Sequence, residues 1–285
     1  MTDSQKFQVK VVALQYSPIL KDIAGSQAKV DKLIAKYSDT SNIDVLILPE
    51  LSFQGGYFSD VNDVLPYSEV QGKGKIFQWC TITAQRLKCI VVVGYSEITD
   101  ANIIYNSMYV VSDQGVLLQN YRKHQLFFAE VGWATPGYKF EYLDALVWRH
   151  EKIVRFGLGI CNDIWYIPPN EFGAMNFAQF HEDNKSQIIL HMSNWPDYQL
   201  YSDDAVKTQV MMSYWLNRLI PITQSKIRRE NQNVYFVQCN RIGSEFEAKY
   251  VGSSCVFQLK PDIQYLDFLD SKEENIIEAN LELEI

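Results

Sequence analysis

The sequence predicts an α/β layered sandwich in which mixed β-sheets are covered by helices. Two observations predict it: apolar runs rich in β-branched residues alternate with segments of helical periodicity, and hairpins interrupt that alternation. A third is the hydrophobic share, 47% of 285 residues, which is ample for a substantial core.

Residues 9–16 and 45–48 read as buried strands. Between them Val30, Leu33, Ile34 and Tyr37 recur at helical spacing, with Ser26 as the expected cap, so a strand–helix–strand unit opens the chain. A second helical pattern over 76–87 leads into a strand at 89–95. Segments 106–111 and 116–121 form a hairpin around Ser112-Asp113-Gln114-Gly115, where Gly115 supplies the positive φ. Segments 146–150 and 152–161 repeat the hairpin. A helix at 170–181, a strand at 187–192 and a long helical region through Arg229 follow, then strands at 234–240, 254–259 and 276–283. With no internal repeat and no Ser/Gly-rich linker, one domain over 1–285 is expected, ending in an acidic segment from about residue 262.

The net charge is −8, and residues 262–285 hold eight acids against the single base Lys272. That segment reads as a solvated edge around a final strand. A nucleic-acid partner would need Lys and Arg gathered on one face, so none is expected. No apolar stretch reaches membrane-spanning length and the start of the chain is polar, so neither a membrane anchor nor a signal peptide is expected. Five scattered cysteines without a C-x-x-C pair suit a reducing cytoplasm, and four dispersed histidines give no metal-ligand spacing. No metal and no cofactor are expected.

Chemistry is expected at strand ends. Cys161 closes a strand in Gly157-Leu158-Gly159-Ile160-Cys161-Asn162-Asp163, where a side chain leaves the sheet as the next helical turn offers its positive end. Cys80, Cys89, Cys239 and Cys255 lie inside apolar patterns and read as inert core. Glu50 ends the run Val45-Leu46-Ile47-Leu48-Pro49-Glu50, where burial would suit a carboxylate to base duty, and Gly55-Gly56-Tyr57 turns the backbone just beyond. Lys123 follows another strand, and Glu130 opens Glu130-Val131-Gly132-Trp133. A papain-like pairing of Cys161 with His124 or His191 would leave the Glu and Lys motifs without a role.

Taken together, Pro49-Glu50 with Gly55-Gly56-Tyr57, Arg122-Lys123-His124, Glu130-x-Gly132-Trp133 and Gly157-x-x-x-Cys161-x-Asp163 resemble the carbon–nitrogen hydrolase (nitrilase-like) superfamily. The resemblance extends to Ser193-Asn194-Trp195-Pro196, Cys239-Asn240-Arg241-Ile242-Gly243 and Gly252-Ser253-Ser254. It implies an α-β-β-α sandwich and a thiol-dependent amidohydrolase that works through a thioester. Cys161 matches the nucleophile, Glu50 the general base, Lys123 the oxyanion-stabilising cation and Glu130 the second glutamate that holds the lysine. The backbone N–H of Asn162 completes the oxyanion site, although many relatives carry Tyr at that position.

Within the superfamily, the stretch from Phe127 to Trp133 and that from Glu171 to Phe180 look most like the fungal and protist-type protein N-terminal amidases. These deamidate N-terminal Asn or Gln for N-degron recognition, so peptide or protein N-termini are the expected substrates. A homodimer is a further implication. Small-molecule amidases, either ω-amidases or N-carbamoyl-amine hydrolases, are the alternative, and a catalytically silent binding protein is a third reading. Tyr57, Trp133, Asp163, Asn194, Trp195 and Asp197 are the candidate substrate-binding residues, with Asp163 or Asp197 the expected acid for a substrate α-ammonium.

Overall fold

A computed structural model of the chain describes residues 6–165, 173–226 and 232–284. Fourteen strands occur in chain order among them: β1 (Lys6–Gln15), β2 (Val45–Ile47), β3 (Ile90–Ile98), β4 (Ile104–Val111), β5 (Leu117–Arg122), β6 (Glu141–Val147) and β7 (Lys152–Ile160) make the first half. The second half is β8 (Ile188–Ser193), β9 (Val234–Asn240), β10 (Ser244–Glu245), β11 (Ala248–Lys249), β12 (Cys255–Lys260), β13 (Gln264–Phe268) and β14 (Asn275–Glu284). They form two six-stranded sheets, ordered β14-β1-β2-β3-β4-β5 and β13-β12-β9-β8-β7-β6, plus the small β10–β11 hairpin. Each large sheet has a parallel centre, β1-β2-β3 and β7-β8-β9, flanked by antiparallel neighbours. The helices are α1 (Ile23–Leu33), α2 (Val61–Val64), α3 (Lys75–Leu87), α4 (Asn176–Asp183), α5 (Asp204–Arg218) and α6 (Ile220–Thr223).

Alternation along the strands sets the layers. In the first sheet Val9, Val11, Ala13, Val45, Ile47, Ile90 and Val92 point to a core shared with the second sheet. Their neighbours Val12, Leu14, Leu46, Leu48, Val91 and Val93 point the other way, under α1 and α3. A period of two buries both faces of one sheet, which is why these strands read as continuous apolar runs. Phe177, Met212 and Trp215 bring α4 and α5 onto the other side. The order is helix, sheet, sheet, helix. Among the described residues no helix is long and apolar enough to cross a membrane.

Several local expectations shift. α1 starts earlier than Ser26, because Asp22 caps it by accepting from the Gly25 N–H at 2.9 Å, while Ser26 Oγ is turned back to the Ile19 backbone. The strand expected at 146–150 is mostly turn: Trp148–His150 form a single 3-10 turn ended by Glu151 at φ 51°, and the pairing segment is β6. The long helical region breaks at Leu219, where Pro221 cannot continue α5; its expected end at Arg229 lies outside the described residues. The start of the helix expected from Asn170, with Glu171 and Phe172, lies outside them too. The acidic segment does carry a final strand at a sheet edge: β14 pairs with β1 along ten residues, its acids outward and Ile277, Leu281 and Leu283 in the core.

Candidate active site

Glu50 follows β2, Cys161 follows β7 and Asn194 follows β8, so the ends of the parallel strands gather them at one end of the sandwich, where α/β sheets place their ligands. Gly94 on β3 makes the approach of Glu50 possible: a β-carbon there would lie 2.8 Å from Glu50 Cα and 2.6 Å from the Leu51 nitrogen. Gly159 does the same for the nucleophile strand, since a β-carbon would meet the Phe177 ring of α4 at 2.5 Å. Lys123, just past β5, is fixed by its own N–H, which donates to the Asn106 carbonyl at 2.8 Å.

The three charged groups are buried together. Lys123 Nζ lies 2.7 Å from Glu50 Oε1 and 2.6 Å from Glu130 Oε2. Asn106 Nδ2 donates to Glu50 Oε1 at 2.7 Å and to Glu130 Oε1 at 2.5 Å, spanning both carboxylates. The Asn194 N–H donates to Glu50 Oε2 at 2.6 Å and the Phe127 N–H to Glu130 Oε2 at 2.7 Å. Burial by itself would lower the Lys123 ammonium, but the charges of Glu130 and Glu50 outweigh it and hold the ammonium well above its ordinary value. Burial pushes the Glu130 carboxyl up, and Lys123 opposes this.

Cys161 stands at φ 44°, a conformation that L-residues adopt only under constraint. The constraint is Asp163. Its Oδ2 accepts from the Ile160 N–H at 2.8 Å and the Tyr121 hydroxyl at 2.7 Å, and its Oδ1 from the Gln125 N–H at 2.8 Å and the His124 N–H at 3.0 Å. One carboxylate thus ties the turn after β7 to the segment after Lys123. Asn162 adds a second tie, its Nδ2 donating to the Leu126 carbonyl at 2.8 Å. The backbone N–H of Asn162 belongs to the first turn of a 3-10 helix over Cys161–Ile164, where N–H groups lack intrahelical partners and suit an anion.

Burial raises the Cys161 thiol, and the charges of Glu50 and Glu130 raise it further against the pull of Lys123. A thiol held this way would need a base beside it to act as a nucleophile. Neither histidine is that base. His191 Nε2 meets the Cys161 backbone carbonyl at 3.2 Å, and burial lowers its pKa to about 4. His124 Nδ1 meets the Gly137 carbonyl at 2.8 Å.

Two cavities meet at Cys161. The smaller, about 100 Å³, is lined by Glu50, Lys123, Glu130, Cys161, Asn194 and the Gly56–Tyr57 turn, among others. The larger, about 530 Å³, is lined by apolar and aromatic side chains, Trp165, Trp195, Tyr198, Met211 and Tyr214 prominent among them. Cys161, Phe127 and Pro196 belong to both walls. Among the described residues lining the larger cavity none carries a charge. Tyr57, Asn194 and Trp195 therefore stand where expected, at the cavities.

The other three candidates stand elsewhere. Trp133 is buried edge-on against Phe58, one layer behind the small cavity. Asp163 is sealed inside the turn it holds, and burial raises its pKa to about 6 against the backbone N–H groups of Gln125 and Ile160. Asp197 faces Lys207 at 2.7 Å. Neither acid lines either cavity, so neither is positioned for a substrate ammonium.

Sequence reasoning missed Asn106. Its signal was a polar residue in a strand otherwise alternating between two buried faces, Ile104-Tyr105-Asn106-Ser107-Met108. It also left Asn240 and Arg241 without a role. Asn240 Oδ1 accepts from the Trp195 N–H at 2.9 Å, fixing the segment after β8. Arg241, fully buried, donates to Glu245 at 2.6 Å, and Glu245 accepts from the Gly56 N–H at 2.8 Å, anchoring the turn that carries Tyr57.

Comparison with known proteins agrees with this architecture. The carbon–nitrogen hydrolase family matches residues 10–284. A protein N-terminal amidase of Schizosaccharomyces pombe is 25% identical over 298 residues, spanning 96% of this chain and all of the relative. The crystal structure of an N-terminal amidase superposes with a TM-score of 0.83 at 17% identity, covering 98% of this chain and 99% of that one. The same fold match holds for an N-terminal amidase crystallised with an Asn-Glu-Ala peptide, with a TM-score of 0.82, 18% identity, and 99% and 100% coverage. From residue 10 to residue 284, this chain belongs to the carbon–nitrogen hydrolase family.

Proposed function

We propose that this chain is an amidohydrolase that releases ammonia from the side-chain amide of an N-terminal Asn or Gln of a peptide or protein. The observation that carries the reading is the pair of cavities at Cys161: a small one with Glu50, Lys123 and Glu130 in its wall and room for little more than a carboxamide, beside a larger one whose described lining residues carry no charge. A free ω-amide acid brings a carboxylate that needs a cation, and Lys123 is already held between Glu50 and Glu130. In a peptide that carboxyl is a neutral amide, which an uncharged wall accepts. The N-terminal amidase relative, matched along its whole length, supports the same reading over that of a small-molecule amidase.

The geometry supports the following course of reaction. Glu50 takes the Cys161 proton as the sulfur attacks the amide carbon. Lys123 and the Asn162 N–H hold the tetrahedral oxyanion. Glu50 returns its proton to the departing nitrogen, ammonia leaves, and a thioester remains. Water, deprotonated by Glu50, attacks the thioester; the carboxylic acid product leaves and the sulfur regains its proton. Glu130 holds the Lys123 ammonium throughout. The proposal extends to one domain over 1–285 and to a reducing cytoplasm, the latter supported by five free, buried cysteines. It extends also to a homodimer, which sedimentation at micromolar concentration tests.

The experiment is ammonia release from Asn- and Gln-initiated peptides set against free glutamine, succinamate and carbamoylputrescine. Turnover of the peptides supports the proposal. Turnover confined to the small amides overturns it.

A further inference from the structure

The wall of the larger cavity has a consequence for which peptides are turned over. With the amide carbon at Cys161 Sγ and its oxygen toward Lys123 and the Asn162 N–H, the rest of the substrate has to leave through the space beside the nucleophile. The larger cavity is that space, because Cys161 and Asn162 form part of its wall. The first side chain to enter it beyond the N-terminal residue is that of the second residue.

Three features of the wall bear on that side chain. Trp165, Trp195 and Tyr214 pack on one another, with centroids of Trp165 and Trp195 each 5.3 Å from Tyr214, so they form a continuous aromatic surface. Phe127 and Phe128 face it across the mouth, their rings 4.3 Å apart, with Phe128 79% exposed. Asn162, the polar side chain nearest the nucleophile, spends its amide donor on the Leu126 carbonyl. A carboxylate on the second residue would lose water here and gain no partner among the described residues of the wall. An apolar one would cover exposed aromatic surface.

We propose that this cavity is the subsite for the second residue of the substrate peptide, and that it selects a bulky apolar side chain there. The inference rests on the N-terminal amidase reading and deepens it. Occupation by substrate follows from the continuity of this wall with the nucleophile, and a volume of about 530 Å³ exceeds any single side chain, leaving room for the backbone that follows.

The test is a series of peptides beginning Asn-Leu, Asn-Phe, Asn-Ala, Asn-Lys and Asn-Glu with a common remainder, assayed by ammonia release. We expect kcat/KM for Leu and Phe to exceed that for Glu by about tenfold or more, the effect of burying one apolar side chain in part. Tyr198, 63% exposed on the rim, allows a variant that leaves the core untouched: Tyr198→Glu should raise the Asn-Lys peptide relative to the Asn-Leu peptide by at least about threefold. A profile flat within threefold across the series overturns the inference while leaving the amidase reading intact, and a flat profile is also what a cleft covered by a second copy of the chain would give. Turnover of small amides with no turnover of any peptide overturns the amidase reading itself.

Discussion

Asn106 Nδ2 donates to Glu50 Oε1 at 2.7 Å, and the same nitrogen reaches Glu130. One amide therefore sets the spacing of the two carboxylates that hold Lys123. Asn106→Leu keeps the branching of the side chain, though it is bulkier, and removes the donor, and kcat is expected to fall by about tenfold to a hundredfold. The unfolding midpoint should move little, because the substitution also removes a buried Oδ1 that has no partner among the described residues. Steady-state kinetics beside thermal unfolding checks both. A kcat within twofold of wild type would mean that the carboxylates hold their places without Asn106.

Lys123→Met removes the cation while keeping the length of the side chain. The expected loss in kcat is at least about a hundredfold, the effect of one oxyanion donor. It also leaves Glu50 and Glu130 buried with no cation between them, and breaking a buried pair in this way costs about 3–5 kcal/mol. Adding Glu130→Gln should restore part of the stability and none of the rate. A double variant as unstable as the single one would contradict the electrostatic account of this cluster.

His191 gives a pH dependence of known sign. Its folded pKa is lowered to about 4 from an ordinary 6.5, chiefly by burial, so the unfolded chain binds a proton that the folded chain refuses. Stability should be full above pH 6.5 and decline as the pH falls toward 4, by on the order of 3 kcal/mol from this group. His191→Gln should flatten that part of the profile. Urea titrations at intervals from pH 7 to 4 test it, and equal slopes in both proteins would show that His191 does not carry the effect.

The C-terminal segment divides into charge and strand. Ending the chain at Ser271 removes β14, with Ile277, Leu281 and Leu283 each contributing about 1.5–3 kcal/mol of burial, which approaches the whole stability of an ordinary domain. No folded protein is expected from that truncation. Glu282→Gln, which touches only the exposed Lys6 pair, should leave kcat within twofold and stability within about 1 kcal/mol. A truncated protein that folds and unfolds cooperatively would refute the role given to β14.

Much of this was legible in the sequence, for identifiable reasons. Strands buried on both faces announce themselves as unbroken apolar runs, so β1, β2 and β3 were found within a few residues of their ends. Glu50 and Cys161 were legible because each stands where such a run stops, and strand ends are where a sheet can present chemistry; Lys123, after the partly polar β5, was legible through its motif. Glu130 was legible through its motif alone. Asn106 was not, because a lone Asn inside a strand looks the same whether it faces a cavity or satisfies a backbone group.

The acids went wrong for a related reason. Asp163 sits next to the nucleophile in sequence, which suggested contact with substrate. Its four donors come from Ile160, Tyr121, His124 and Gln125, and three of those belong to a segment some forty residues away. Sequence proximity marks the turn but not the direction in which a carboxylate points. Leu146–His150 failed through local chemistry: Trp, Arg and His carry enough apolar surface to imitate a strand end, whereas the backbone turns there.

The central claim is that Cys161 attacks the amide. Its most direct test is ammonia release from an Asn-Leu-initiated peptide by Cys161→Ala beside the wild-type protein, with the unfolding midpoint of each. The account predicts steady release by the wild type and none by the variant, with midpoints that agree because the thiol and methyl groups are similar in size. Release by folded Cys161→Ala at the wild-type rate would contradict it.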